Sequence, residues 1–166
     1  MMVQLNKQLP NNMKKLILNN IHENLGAKMI DFGGFYMPVQ YEGVKAEHHA
    51  VRNNVGVFDV SHMGEIFVSG EQSLDFLQYV TSNDVSKLSV GKVQYSYFPN
   101  SKGGIVDDLL VYQLGKNKYM LVVNASNIEK DYKWLNENNS FKCEITNKSD
   151  EYSLLALQGP QSLELI

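Results

Sequence analysis

Between Val93 and Val123 the chain spells out one antiparallel unit, and this stretch limits the fold more than any other. Val93–Phe98 is rich in β-formers, 99–104 reads Pro-Asn-Ser-Lys-Gly-Gly, and 105–114 is β-rich again. Gly115-Lys116-Asn117 supplies a second turn and Tyr119–Val123 a third strand. Short β-rich runs joined by Gly, Asn and Pro clusters predict a meander, because connections this short can join only antiparallel neighbours.

Helical patterns flank the meander. Leu16–Leu25 carries apolar residues at helical spacing, with Gly26 at the stop position. Val44–Asn54, Glu71–Val80 and Asn127–Glu137 are also read as helices. Ala27–Phe32 and Phe35–Gln40 flank Gly33-Gly34 as a hairpin, and strands are expected at Ile66–Val68, Lys142–Asn147 and Tyr152–Gln158. Helices among antiparallel hairpins give an α+β class, with antiparallel sheets and flanking helices, rather than a doubly wound parallel sheet. No repeat or long linker divides the chain. Residues 1–13 form a polar extension, and Met13-Lys14-Lys15 looks like a second possible start. After Gly159-Pro160 a new helix begins and stops without a cap, so the chain reads as truncated or as needing something beyond it.

Composition closes off several classes. Fifteen basic residues are scattered among eighteen acidic ones for a net charge of -3, so nucleic acid is not an expected partner. With 43% hydrophobic and 20% charged residues, the chain reads as an ordinary globular protein. A single cysteine excludes an internal disulfide, and Cys143, in an alternating run, reads as a buried structural thiol. No apolar run approaches the ~20 residues that cross a bilayer, so no membrane is expected and the cytoplasm is the default location.

No GxGxxG after a strand, P-loop or GxSxG elbow occurs. Glu47-His48-His49 lacks a third ligand at metal-binding spacing, and adjacent histidines on a helix point about 100° apart, so no metal is expected. Asp59 and Ser61, in Asp59-Val60-Ser61-His62-Met63, suit a turn or a helix cap. Asp107-Asp108 is more informative, because aspartate is depleted in strands and both stand among Ile105, Val106, Leu109 and Leu110. Alternation puts Asp107 on one face with Ile105 and Leu109, and Asp108 on the other with Val106 and Leu110. At least one carboxylate then lies in a poorly solvated place with a raised pKa unless it is paired, as functional acids and bases do. A strand end with both carboxylates in water stands equally, and parity does not say which aspartate is special.

These motifs carry a resemblance. Gly26-Ala27-Lys28-Met29-Ile30-Asp31-Phe32-Gly33-Gly34-Phe35 resembles the opening of glycine cleavage T-proteins, the aminomethyltransferases. The strings at 47–52 (EHHAVR), 56–63 (GVFDVSHM), 103–109 (GGIVDDL) and 122–125 (VVNA) follow in the family's order, as do Glu129-Lys130-Asp131 and Leu157-Gln158-Gly159-Pro160. The resemblance implies that residues 14–166 are the amino-terminal folate-binding portion of a cloverleaf aminomethyltransferase fold. It implies transfer of an aminomethyl group from the lipoyl arm of an H-protein to tetrahydrofolate, giving ammonia and 5,10-methylenetetrahydrofolate. By the same resemblance Asp107 is the catalytic carboxylate, while Met63, Tyr95 and Asn124 line the pterin. Later segments of the family add a glutamate and an arginine, so these residues alone are expected to be inactive. A folate-dependent demethylating enzyme and a folate-binding module of the iron–sulfur assembly type are the alternatives on this scaffold.

Overall fold

A computed structural model describes residues 13–166, so all of the polar extension except Met13 lies outside the described residues. The chain forms two compact units, one comprising the residues up to Val60 with Leu155–Ile166, the other Ser61–Leu154. In chain order the first unit contains β1 (Lys14–Lys15), α1 (Asn19–Asn24), β2 (Lys28–Phe32), β3 (Phe35–Gln40), α2 (Val44–Asn53) and β4 (Gly56–Asp59). The second contains β5 (Gly64–Ser69), α3 (Ser73–Val80), β6 (Val93–Pro99), β7 (Ile105–Gly115), β8 (Lys118–Val123), α4 (Ile128–Glu137) and β9 (Glu144–Asn147). Strand β10 (Leu155–Gln158) returns to the first unit.

In the first unit the β2–β3 hairpin turns at Gly33 and Gly34, whose φ values of 60° and 88° suit glycine and strain other residues. Helix α1 is shorter than its apolar spacing predicts. Asn19 Oδ1 accepts from the Leu16 backbone N–H at 2.7 Å and Asn19 Nδ2 donates to the Tyr36 carbonyl, so the side chain builds a turn before the helix starts. Strand β4 was not expected; it pairs antiparallel with β10 from Asp59↔Leu155 to Gly56↔Gln158. Asp59 ends that strand instead of capping a helix, and its Oδ2 lies 2.9 Å from His22 Nε2 while the Tyr41 hydroxyl meets His22 Nδ1. Glu47 Oε1 accepts from the backbone N–H groups of Tyr41 and Gly43 at the start of α2. After Gly159-Pro160 the expected helix is a 3-10 turn over Ser162–Leu165.

The second unit holds the predicted meander. Its five-stranded sheet runs β6-β7-β8-β5-β9, every neighbour antiparallel. One face packs on α3 and α4: Ile66, Val68, Phe98, Leu109, Val111, Leu121 and Val123 meet Phe76, Leu77, Val80 and Leu135, all buried. Each such side chain contributes about 1.5–3 kcal/mol when fully removed from water. Cys143 joins this core as a buried thiol. Alternation sends Glu65, Phe67, Tyr95, Asp108, Leu110 and Val122 to the opposite face.

Candidate active site

Strands β6 and β7 are in register from Val93↔Tyr112 to Phe98↔Asp107 and then slip, because Ile105 pairs with Pro99. The slip leaves Val106 as the extra residue of a bulge. Asp107 therefore keeps Leu109 and Val111 as companions on the helix-covered face, but Ile105 is solvent-exposed and Val106 packs against the core instead. The simple alternation expected for Ile105 fails at this bulge. Asp108 emerges on the open face.

Two of the residues picked from sequence converge on Asp108. The Tyr95 hydroxyl donates to Asp108 Oδ2 at 2.9 Å, and this bond raises the phenol's pKa above its ordinary value. Asn124 Nδ2 donates to Asp108 Oδ1 at 2.9 Å and to Asp107 Oδ1 at 3.1 Å, so one amide bridges both aspartates. The sheet explains the convergence. Val123 opposes both Leu109 and Gly64, which brings Asn124, Asp108 and Met63 to the same end of three adjacent strands. Tyr97 directly opposes Asp108. Tyr95 and Tyr97 both expose ring surface beside the carboxylate. A Cβ on Gly64 would stand 2.5 Å from Ile128 Cγ1, so the glycine lets the start of α4 close on this strand end.

Asp107 has a different setting. It is buried, and burial alone would push its carboxyl up; hydrogen bonds with Asp131, Asn124 and Asn127 outweigh burial and hold it below its ordinary value. Asp131, fully buried on α4, is pushed up to about 7 by burial and by Asp107 facing it, with Lys130 offsetting part of the rise. The sequence reading did not single out Asp131 for a role. Its signal was present: Ile128, Asp131, Tyr132 and Leu135 occupy one helical stripe, with a carboxylate among apolar residues.

Glu65 is the second buried carboxylate that the sequence reading missed. It is 1% exposed, neither carboxylate oxygen has a partner among the described residues, and burial pushes it up to about 7. Elsewhere, Ser61 is used structurally, exchanging hydrogen bonds with the Leu154 backbone. Among the described residues no cluster of three or more His, Cys, Asp or Glu side chains is arranged to hold a metal ion.

An α+β domain with a carboxylate, an amide and phenol rings grouped at one open sheet end has the features of a small-molecule-binding domain. Residues 18–166 match the family described as the GCVT N-terminal domain, and the chain belongs to that family. It is 62% identical over 152 residues to an aminomethyltransferase of Flavobacterium psychrophilum, covering 92% of this chain and 42% of that protein. An aminomethyltransferase of Deinococcus deserti is 53% identical over 155 residues, covering 93% of this chain and 43% of the relative. Among solved structures, the glycine cleavage system aminomethyltransferase T from Bartonella henselae superposes with a TM-score of 0.85 at 40% identity, over 92% of this chain and 42% of that one. The chain thus spans about two fifths of the length of these relatives.

Proposed function

We propose that the whole protein is the aminomethyltransferase of a glycine cleavage system. It takes the aminomethyl group from the lipoyl arm of an H-protein and passes it to tetrahydrofolate, forming 5,10-methylenetetrahydrofolate and releasing ammonia. Residues 14–166 are then its amino-terminal folate-binding portion, and segments beyond them complete the pocket. The reading places the protein in glycine catabolism and one-carbon metabolism, with the cytoplasm as its location. Among the described residues no helix is long and apolar enough to cross a membrane.

The observation that carries this reading is the convergence of Tyr95 and Asn124 on one exposed carboxylate in a member of this family. Within the aspartate pair, we assign the role facing substrate to Asp108 and give Asp107 a supporting one. Support comes from the open-face position of Asp108 and from its two partners, the residues expected to line the pterin. Asp107 lies on the opposite, helix-covered face, engaged by Asn124 and Asp131. A carboxylate at the reacting nitrogens stabilises a developing iminium cation and accepts the proton released as the folate nitrogen attacks. Exposed tyrosine rings with Met63 at the strand end suit a flat heterocycle, and the Asn124 and Tyr95 donors fix the direction of the Asp108 oxygens.

The test is tetrahydrofolate-dependent ammonia release from aminomethyl-loaded H-protein by the full-length protein. Asp108→Asn lowers kcat by about a hundredfold or more while folate still binds, the range seen when a positioned acid–base group is removed. Asp107→Asn costs less. A near-normal Asp108→Asn enzyme beside an inactive Asp107→Asn enzyme returns the catalytic role to Asp107.

A further inference from the structure

Beneath Asp108 lies a second pair of carboxyl groups, which the proposed chemistry leaves unused. Asp107 on β7 and Asp131 on α4 are 9% and 0% exposed. Asp107 Oδ2 and both oxygens of Asp131 have no ordinary donor in hydrogen-bonding position among the described residues. The two carboxyls are nevertheless near enough to act on each other, Asp107 raising Asp131 and Asp131 lowering Asp107. Two buried carboxylates bearing only lone pairs repel, whereas one proton between them would satisfy the oxygens that the rest of the site leaves without a donor.

Among the described residues the surroundings do not supply the missing charge. Lys130 Nζ stands 3.8 Å from Asp131 Oδ1, but it donates to the Val106 carbonyl at 2.7 Å and its side chain is 47% exposed. Asn127 and Asn124 favour the charged form of Asp107 but carry no charge themselves. On the open face Asn124 meets Asp108, which also accepts from the Tyr95 hydroxyl. One negative charge beneath the sheet is satisfied by these amides, whereas two would face each other with little solvent to screen them.

We propose that Asp131 is a positioning residue of this site: it shares one proton with Asp107 and so holds the Asn124 amide across Asp107 and Asp108, aiming Asp108 at the open face. The path is short. Asp131 fixes Asp107, Asp107 Oδ1 takes one Asn124 N–H, and Asp108 Oδ1 takes the other. Its link to aminomethyl transfer rests on the function proposed above; the shared proton and the orientation of Asn124 do not.

The experiment uses the full-length protein labelled with carbon-13 at the aspartate carboxyls and nitrogen-15 at the asparagine side chains, titrated by NMR from pH 5 to 9. The pair retains one proton up to a midpoint near 7 and loses it above, and the Asn124 side-chain signals move with the same midpoint. Asp131→Asn, which always carries a donor, abolishes that titration and keeps the Asn124 signals at their low-pH positions throughout. Asp131→Leu displaces them at every pH. Should the leucine variant fail to fold, wild type and Asp131→Asn still decide. Full ionisation of both aspartates by pH 6, or Asn124 signals that ignore the titration, overturns the proposal. In the transfer assay, Asp131→Asn keeps kcat near wild type at pH 7 and Asp131→Leu lowers it about tenfold. A wild-type protein with no transfer activity but an intact shared titration would refute the function and leave the carboxyl pair standing.

Discussion

Asp107 and Glu65 sit two strands apart in the same sheet, both buried, and their carboxyls are perturbed in opposite directions. Asp107, on β7, has Asn124, Asn127 and Asp131 around it and lies below its ordinary value. Glu65, on β5, has no partner for either oxygen among the described residues and is pushed up to about 7 by burial alone. Its main chain is well served: Ser149 Oγ accepts from its N–H, and Lys148 N–H donates to its carbonyl. The side chain is left out. Partners rather than depth decide which form of a buried acid the fold favours.

The comparison breaks most readily by deleting each carboxyl. Asp107→Leu takes one acceptor from the Asn124 amide, which keeps Asp108, and leaves the buried Asp131 carboxyl facing an apolar group, and should cost about 3 kcal/mol, the scale for breaking a buried charged network. Glu65→Met removes a polar group that no described residue satisfies, and should stabilise the protein by about 2 kcal/mol at pH 8. Urea unfolding at pH 8 measures both. Destabilisation by Glu65→Met would mean that this carboxyl has a partner in the complete protein.

The pH dependence sharpens the same contrast. Glu65 holds its proton more tightly folded than unfolded, where its value is 4.5, so its effect is most favourable below 4.5 and is lost as pH rises through about 7. Asp131 acts in the same direction from 3.8 to about 7. Asp107 has the opposite sign: its contribution is present above 3.8 and disappears as pH falls through its lowered folded value. Unfolding free energy should therefore decline from about pH 5 to pH 7, and Glu65→Gln should flatten part of that slope. An unchanged slope removes Glu65 from the account.

A smaller effect is expected at Gly64. Alanine there brings a Cβ to 2.5 Å from Ile128 Cγ1 and 2.9 Å from Val123 Cγ2, an overpacking cost of about 1–2 kcal/mol. Because Gly64 is level with the strand end that carries Asn124, weaker folate binding should accompany the loss of stability. Titration calorimetry of the variant checks this.

Much of the fold was legible because its signals are local. Alternation and turn residues marked β6, β7 and β8, and Gly33-Gly34 marked a hairpin whose turn needs two left-handed residues. Strand β4 was not legible, since four residues carry no period and their partner, β10, lies at the other end of the chain. At the site, strand parity separated Asp107 from Asp108 but could not say which face the helices cover. That depends on α3 and α4 packing against Leu109 and Val111. Asp131 was readable from its helical stripe. Glu65 was not: alternation places it on the face opposite Ile66 and Val68, and sequence does not reveal that it is shielded from solvent there.

The central claim is that the partnered, helix-covered Asp107 supports the site while the open Asp108 meets the substrate. A crystal structure of the full-length protein with tetrahydrofolate or a stable reduced analogue tests it directly. The account predicts an Asp108 oxygen within about 3 Å of a pterin-side nitrogen, with Asp107 still beneath Asn124 and out of reach. An Asp107 oxygen on that nitrogen, with Asp108 turned to solvent, would contradict it.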